Sequence, residues 1–160
     1  MSLRVSLGLI LLLLSAGCTS IQNDFGSTDF SSFSVNGTYT GSLRLSDAAM
    51  TTLTDSTAFE ISLTQNGANI TGTATSKGDS VSDRIGIVTD NLTGTITYYT
   101  NYFAHIDGYI YPKSETLDAA KKDSSAIPMD LVVNTLTNIS EGNLFPHGDS
   151  VNYVEFIGKK

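Results

Sequence analysis

From residue 35 onward, apolar and polar residues alternate with a period of two in short runs. This period places alternate side chains on opposite faces of an extended strand, whereas a helix needs a period of 3.6 residues. Gly, Asn, Asp and Pro separate the runs and mark turns, among them Asn66-Gly67 and Asp90-Asn91. The pattern predicts eight strands, over residues 38–45, 58–65, 69–76, 84–89, 92–100, 103–111, 129–137 and 151–157.

The apolar members of each run define the face that we expect to be buried. These faces carry Tyr39, Gly41, Leu43 and Leu45 in the first run, Phe59, Ile61 and Leu63 in the second, Ile70, Gly72 and Ala74 in the third, and Leu92, Gly94, Ile96 and Tyr98 in the fifth. In the run 103–111 the alternation fits either face, so its facing stays open. Residues 114–125 predict a short helical insertion, with Ser114 as its cap and Lys121 and Lys122 near its C-terminal end.

Short antiparallel strands need a way to protect the two edges of their sheet, and closure into a barrel removes those edges. The pattern therefore predicts an all-β fold, a small antiparallel up-and-down barrel of about eight strands, with a β-sandwich as the alternative. Gly41, Gly72 and Gly94 fall at predicted inward positions, where glycine permits tight bending of the sheet.

The first 17 residues have the layout of a secretory signal. Arg4 is followed by an apolar run over 7–14, which is too short to span a bilayer, and then by the small residues Ser15-Ala16-Gly17. Cys18, the single cysteine, follows at once. This segment resembles the lipobox of bacterial lipoproteins, which ends in Gly-Cys after a small residue. The resemblance implies that lipid is attached to Cys18 and that, because residue 19 is Thr rather than Asp, the anchor lies in the outer membrane.

These features divide the chain into a signal peptide (1–17), a lipid-anchored tether (18–34) and a β-barrel domain (35–160). The tether is rich in Ser, Asp and Gly without periodicity. It also contains Phe25, Phe30 and Phe33, which we expect to dock back on the domain rather than to lie at the membrane surface.

The phrases around residues 37–41 and 65–72 resemble the small lipocalin-like and avidin-like barrels found in many bacterial lipoproteins. The resemblance implies no particular ligand. Avidins hold biotin largely with Trp, which this chain lacks. Membrane-spanning barrels share the alternation, but a covalent lipid anchor would be redundant on one.

Composition excludes several classes of function. The net charge is −7, so nucleic acid binding, which needs clustered Lys and Arg, is not expected. One cysteine excludes an internal disulfide framework and a multi-cysteine metal site. Neither a Gly-x-Ser-x-Gly elbow nor a phosphate-binding Gly-Lys-Ser/Thr loop is present. We expect neither catalytic residues nor a cofactor.

Six aromatic residues fall within positions 98–111, and three of them, Tyr98, Tyr109 and Tyr111, are candidates to line a ligand site at the barrel mouth. Packing in the core and on strand surfaces is the alternative role. His105-x-Asp107 and His147-x-Asp149 place a histidine and a carboxylate two residues apart, which on a strand is one face. We expect ordinary hydrogen-bonded pairs there rather than a metal site.

Together these features predict a membrane-anchored envelope lipoprotein whose barrel is a non-enzymatic binding or adaptor domain. Its partners would be the membrane, through Cys18, and an envelope protein. The alternative is a carrier that holds a small apolar ligand in the barrel mouth.

Overall fold

The structure, a computed structural model, describes residue 30 and residues 33–45, 56–77, 85–146 and 153–160. Eight antiparallel strands form a closed barrel in chain order, and pairing of the first strand with the last closes it. The predicted barrel is confirmed, and the β-sandwich alternative is wrong. The elements are β1 (Gly37–Leu45), β2 (Ser56–Asn66), β3 (Asn69–Ser76), β4 (Thr89–Tyr99), β5 (Phe103–Tyr111), α1 (Leu117–Asp123), β6 (Ile127–Asn134), β7 (Ile139–Leu144) and β8 (Val154–Lys159).

The predicted number of strands is correct, but one predicted strand is absent and one observed strand was not predicted. Residues 85–88 do not form a strand, because Gly86 has a φ of 74° and turns the chain while Ile85 and Ile87 still enter the core. β4 then begins at Thr89 and includes the predicted Asp90-Asn91 turn. β7 was not predicted, since two of its three inward positions are occupied by Ser140 and Gly142 rather than by apolar residues.

The barrel interior is filled by apolar side chains. Phe59 and Phe156 meet edge to face there, with ring centroids 5.7 Å apart. The inward residues predicted for the first three strands are confirmed where the structure describes their side chains. Fully buried members of this core include Tyr39, Leu43, Phe59, Ile61, Ile70, Leu92, Ile106, Ile110, Leu131, Leu144 and Phe156.

One end of the barrel carries the tight turns and is closed by the N-terminal segment. We call it the turn end; it comprises residues 33–36, 66–69, 100–103 and 134–139 together with Lys159 and Lys160. Phe33 and Val35 are buried at this end. The Val35 amide donates a 2.9 Å hydrogen bond to Oε1 of Gln65.

Two aromatic contacts fix the N-terminal segment to β4. The rings of Phe30 and Phe33 lie 4.9 and 5.8 Å from the ring of Tyr99, centroid to centroid. The Tyr39 hydroxyl donates to the Val35 carbonyl at 3.1 Å, and burial raises the pKa of that phenol. The predicted docking is confirmed for Phe30 and Phe33, while Phe25 lies outside the described residues. The packed domain therefore begins before residue 35.

The helix is shorter than predicted. It begins after Thr116, whose hydroxyl accepts a 3.3 Å hydrogen bond from the Ala119 amide, so Thr116 is the N-cap and the prediction of Ser114 is wrong. Before it, a turn joins the Glu115 amide to the Pro112 carbonyl at 3.0 Å. Lys121 and Lys122 lie in the last helical turn, as predicted.

Among the residues described, we find no helix with the length and apolar character needed to cross a membrane.

Candidate functional site

The three tyrosines predicted as candidates do not line the interior. In β5 the buried residues are Ala104, Ile106 and Ile110, which settles the facing of this strand and places Tyr109 and Tyr111 on its outer side. Tyr98 is 44% exposed, so its predicted place beside Ile96 on the inward face is wrong.

A β-bulge in β4 explains the orientation of Tyr98. Ile96 pairs with Ile106 and Tyr98 pairs with His105, so Thr97 is an extra residue without a pairing partner on β5. An extra residue reverses the side-chain alternation beyond it. Tyr99 therefore takes the inward position, where it packs against the core. No sequence feature marks this bulge, because its residues read as regular alternation.

The outer face of β5 and β6 carries a cluster of one histidine and two aspartates. Nε2 of His105 lies 2.6 Å from Oδ1 of Asp130 and 3.9 Å from Oδ1 of Asp107. Nδ1 of His105 lies 3.2 Å from the Thr97 hydroxyl. The sequence paired His105 with Asp107, whereas the closer partner is Asp130 on the next strand. Asp130 was missed because the β5–β6 register, which opposes Asp107 to Asp130, is not visible in the sequence.

This cluster has the donor set of a divalent metal site. One ligand atom from each of the three side chains lies within 4.8 Å of the other two. Imidazole nitrogen and carboxylate oxygen are ligands that Zn²⁺ accepts. Without a metal, His105 still stabilises the β5–β6 pair. The carboxylates of Asp107 and Asp130 lie opposite each other and repel, and a hydrogen bond from the His105 imidazole to Asp130 reduces that repulsion.

A groove of about 490 Å³ lies beside the cluster, between α1 and the outer surface of β3 to β6. Asp107 belongs to both the cluster and the groove wall. The other polar wall residues are Asn69, Thr71, Thr93, Thr95 and Lys121. Its apolar wall residues are Ile70, Tyr109, Leu117, Pro128 and Met129. Backbone of the facing pair Gly94 and Gly108 also lines the groove.

Helix α1 places a cation at the groove. The Lys121 ammonium nitrogen lies 4.0 Å from the centroid of the Tyr109 ring, a cation–π contact. Ala120 is buried and fixes the helix against the barrel. The groove thus presents an aromatic ring, a carboxylate, an ammonium group and several hydroxyls within one concave surface. Of these groups, the sequence indicates Tyr109 as part of a binding site. It indicates Asp107 only as a partner of His105.

At the opposite end of the barrel, Asp90 lies on the same side of β4 as the buried Leu92. Burial raises the pKa of its carboxyl, while a hydrogen bond with the Val88 backbone and the charge of Lys113 act in the lowering direction. His147, Asp149 and Cys18 lie outside the described residues.

Comparison of the chain with protein-family models, with curated proteins and with solved structures finds no match in any of the three.

Proposed function

We propose that this protein is a lipid-anchored protein of the cell envelope, held at the outer membrane, whose barrel is a non-enzymatic binding domain that engages an envelope protein through its outer face. The observation that supports it is the contrast between the two sides of the sheet. The interior is occupied by apolar side chains, whereas the groove that can accept a partner lies outside, between α1 and β3 to β6.

The chemistry of the groove favours a protein segment over a small apolar ligand. Small-molecule pockets are lined mostly by apolar and aromatic side chains. Here two charged groups of opposite sign, Asp107 and Lys121, and outward threonines of β3 and β4 share the wall with its apolar residues. Charges of both signs and hydroxyls match the mixed polar surface of a polypeptide and offer hydrogen bonds that could position it. The alternative carrier would need an open interior cup, and the three tyrosines proposed to line it lie on the outside.

Replacing Cys18 by Ala tests the anchor. Two or three acyl chains hold a protein durably at a membrane, whereas one gives only marginal binding, so loss of the acceptor thiol removes all of that affinity. We expect Cys18→Ala to move the protein from the membrane to the soluble fraction, and the intact mass of the wild type to carry the acyl groups. A membrane fraction as large for Cys18→Ala as for the wild type, with no lipid mass on the latter, contradicts the anchor.

Site-specific photocrosslinking tests the groove. A photoreactive residue at Thr95, which is exposed on the groove wall, is compared in whole cells with one at Thr40, which is exposed on β1 on another side of the barrel. We expect one reproducible protein adduct from Thr95 and none from Thr40, and Lys121→Glu should reduce the adduct severalfold by reversing the charge beside Tyr109. Equal adducts from both positions, or none from Thr95, would refute a partner in the groove.

A further inference from the structure

We propose that the turn end of the barrel is a second membrane contact, in which Tyr102, Phe103 and Leu136 enter the headgroup region of the bilayer that holds the anchor. This inference rests on the proposed lipid anchor at Cys18, because the anchor defines which surface lies within reach.

Three large apolar side chains are exposed together at this end. Tyr102, Phe103 and Leu136 keep 53%, 43% and 71% of their surface accessible to solvent. The β4–β5 and β6–β7 turns that carry them are joined, since the Thr135 amide donates a 2.8 Å hydrogen bond to the Tyr102 carbonyl. Two further bonds, from the amides of Leu136 and Thr137 to the Asn134 side chain, hold the second turn. The side chains are thus presented by an ordered surface.

Charge is distributed in a way that suits a membrane. The chain has 16 acidic and 9 basic residues, yet the described residues of the turn end include no Asp or Glu; the exposed Glu141 of β7 lines a small pocket next to Phe103 at its border. They do include the exposed Lys159 and Lys160. An end with apolar tips and two cations experiences attraction from anionic headgroups, whereas an acidic surface would be repelled. The segment between Cys18 and the barrel contains Asp24 and Asp29, which anionic headgroups repel. Electrostatic attraction to the membrane therefore has to come from the lysines of the turn end.

The path of the chain brings this end to the membrane. Phe30 and Phe33 dock on Tyr99 at the turn end, so the segment from Cys18 enters the barrel there. Only residues 19–29 lie between, and eleven residues reach at most roughly 40 Å even when fully extended. A nine-residue strand such as β1 is about 30 Å long and, tilted by about 40° in a closed barrel, spans roughly 23 Å along the barrel axis. To place the opposite end at the bilayer, the segment would have to be stretched along the barrel over more than half of its full reach.

The occupant that fits this end is therefore a lipid surface. Tyrosine places its apolar ring among acyl chains and its hydroxyl among headgroups, and Phe and Leu add apolar area. Such a contact is weak alone and becomes effective when an anchor already holds the chain at the surface. It would fix the orientation of the barrel, with the opposite end facing away from the bilayer.

Tryptophan reporters test this orientation, since the chain has no Trp of its own. Leu136→Trp is compared with Val88→Trp, a matched control that is 72% exposed and lies beside the first residue of β4, at the opposite end. Each protein is purified with its anchor and reconstituted into vesicles of phosphatidylcholine and phosphatidylglycerol. We expect blue-shifted emission, and quenching by acyl-brominated lipid, for Leu136→Trp only. Equal responses of the two reporters, or none, would overturn the proposal.

A second arm separates this inference from the anchor. The mature chain, residues 18–160, with Cys18→Ala is floated with the same vesicles, with and without the combined changes Tyr102→Ser, Phe103→Ser and Leu136→Ser. We expect weak binding that falls at least fivefold with the combined changes and is unaltered by Val88→Ser. Binding that the combined changes leave unaltered overturns the membrane contact even if Cys18 is lipidated. A concentration-dependent dimer without vesicles, abolished by the same changes, overturns it in favour of a contact between copies.

Discussion

Gly41→Ala is expected to lower the free energy of unfolding by about 3 kcal/mol, at the upper end of what overpacking usually costs. Gly41 lies in β1 at the seam that closes the barrel, directly opposite Gly158 of β8. A Cβ atom built at Gly41 meets the Ile157 carbonyl and the Gly158 Cα, both main-chain atoms. Because no side chain can rotate away, the two strands have to separate, and typical domains have only about 5–15 kcal/mol of stability in total.

Urea unfolding followed by far-ultraviolet circular dichroism measures this loss. The matched control is Gly67→Asn in the β2–β3 turn, where φ is 60° and a Cβ atom meets nothing within 4 Å. Asn tolerates that backbone conformation, so a change within about 0.5 kcal/mol is expected. If Gly41→Ala were as stable as this control, the close approach of β1 and β8 would not be required for closure.

Phe33→Ala is expected to cost about 3 kcal/mol, the lower end of the range for removing a buried phenylalanine. Phe33 is only 7% exposed and packs on Tyr99 with a centroid distance of 5.8 Å. Its removal leaves a cavity at the turn end and loosens the segment that joins the barrel to Cys18. The prediction also tests where the domain begins, since the sequence placed Phe33 in the tether.

The matched control for that measurement is Phe103→Ala, the same substitution at a position that is 43% exposed. Thermal unfolding of the two variants should differ clearly, with the control losing less than about 1 kcal/mol because little packing is removed. Equal losses for Phe33→Ala and Phe103→Ala would mean that the N-terminal segment does not contribute to the core. The domain would then start at β1.

The sequence predicts the fold well because the barrel is encoded by alternation, which needs no knowledge of neighbours. The prediction of strands from the sequence fails where the alternation of apolar and polar residues does not match the burial of their side chains. In β7 the inward residues Ser140 and Gly142 give no apolar signal, and around Gly86 two buried isoleucines give an apolar signal without a strand. The site depends on strand register, which brings Asp107 opposite Asp130 and no local pattern reports. The groove requires the placement of α1, which is equally non-local.

The bulge at Thr97 has a wider consequence for how β4 is built. Above it the strand follows one side-chain frame, with Leu92 and Ile96 inward, and below it the opposite frame, with Tyr99 inward. In β4, the residues before Thr97 and the residues after it therefore alternate inward and outward in opposite phase, and Thr97 is the residue at which the phase changes. If β4 instead continued in regular pairing, with Thr97 opposite His105, Tyr98 would face inward and Tyr99 outward, and the ring on which Phe30 and Phe33 dock would be lost. A single insertion thus couples the core of the barrel to the segment that leads towards its anchor.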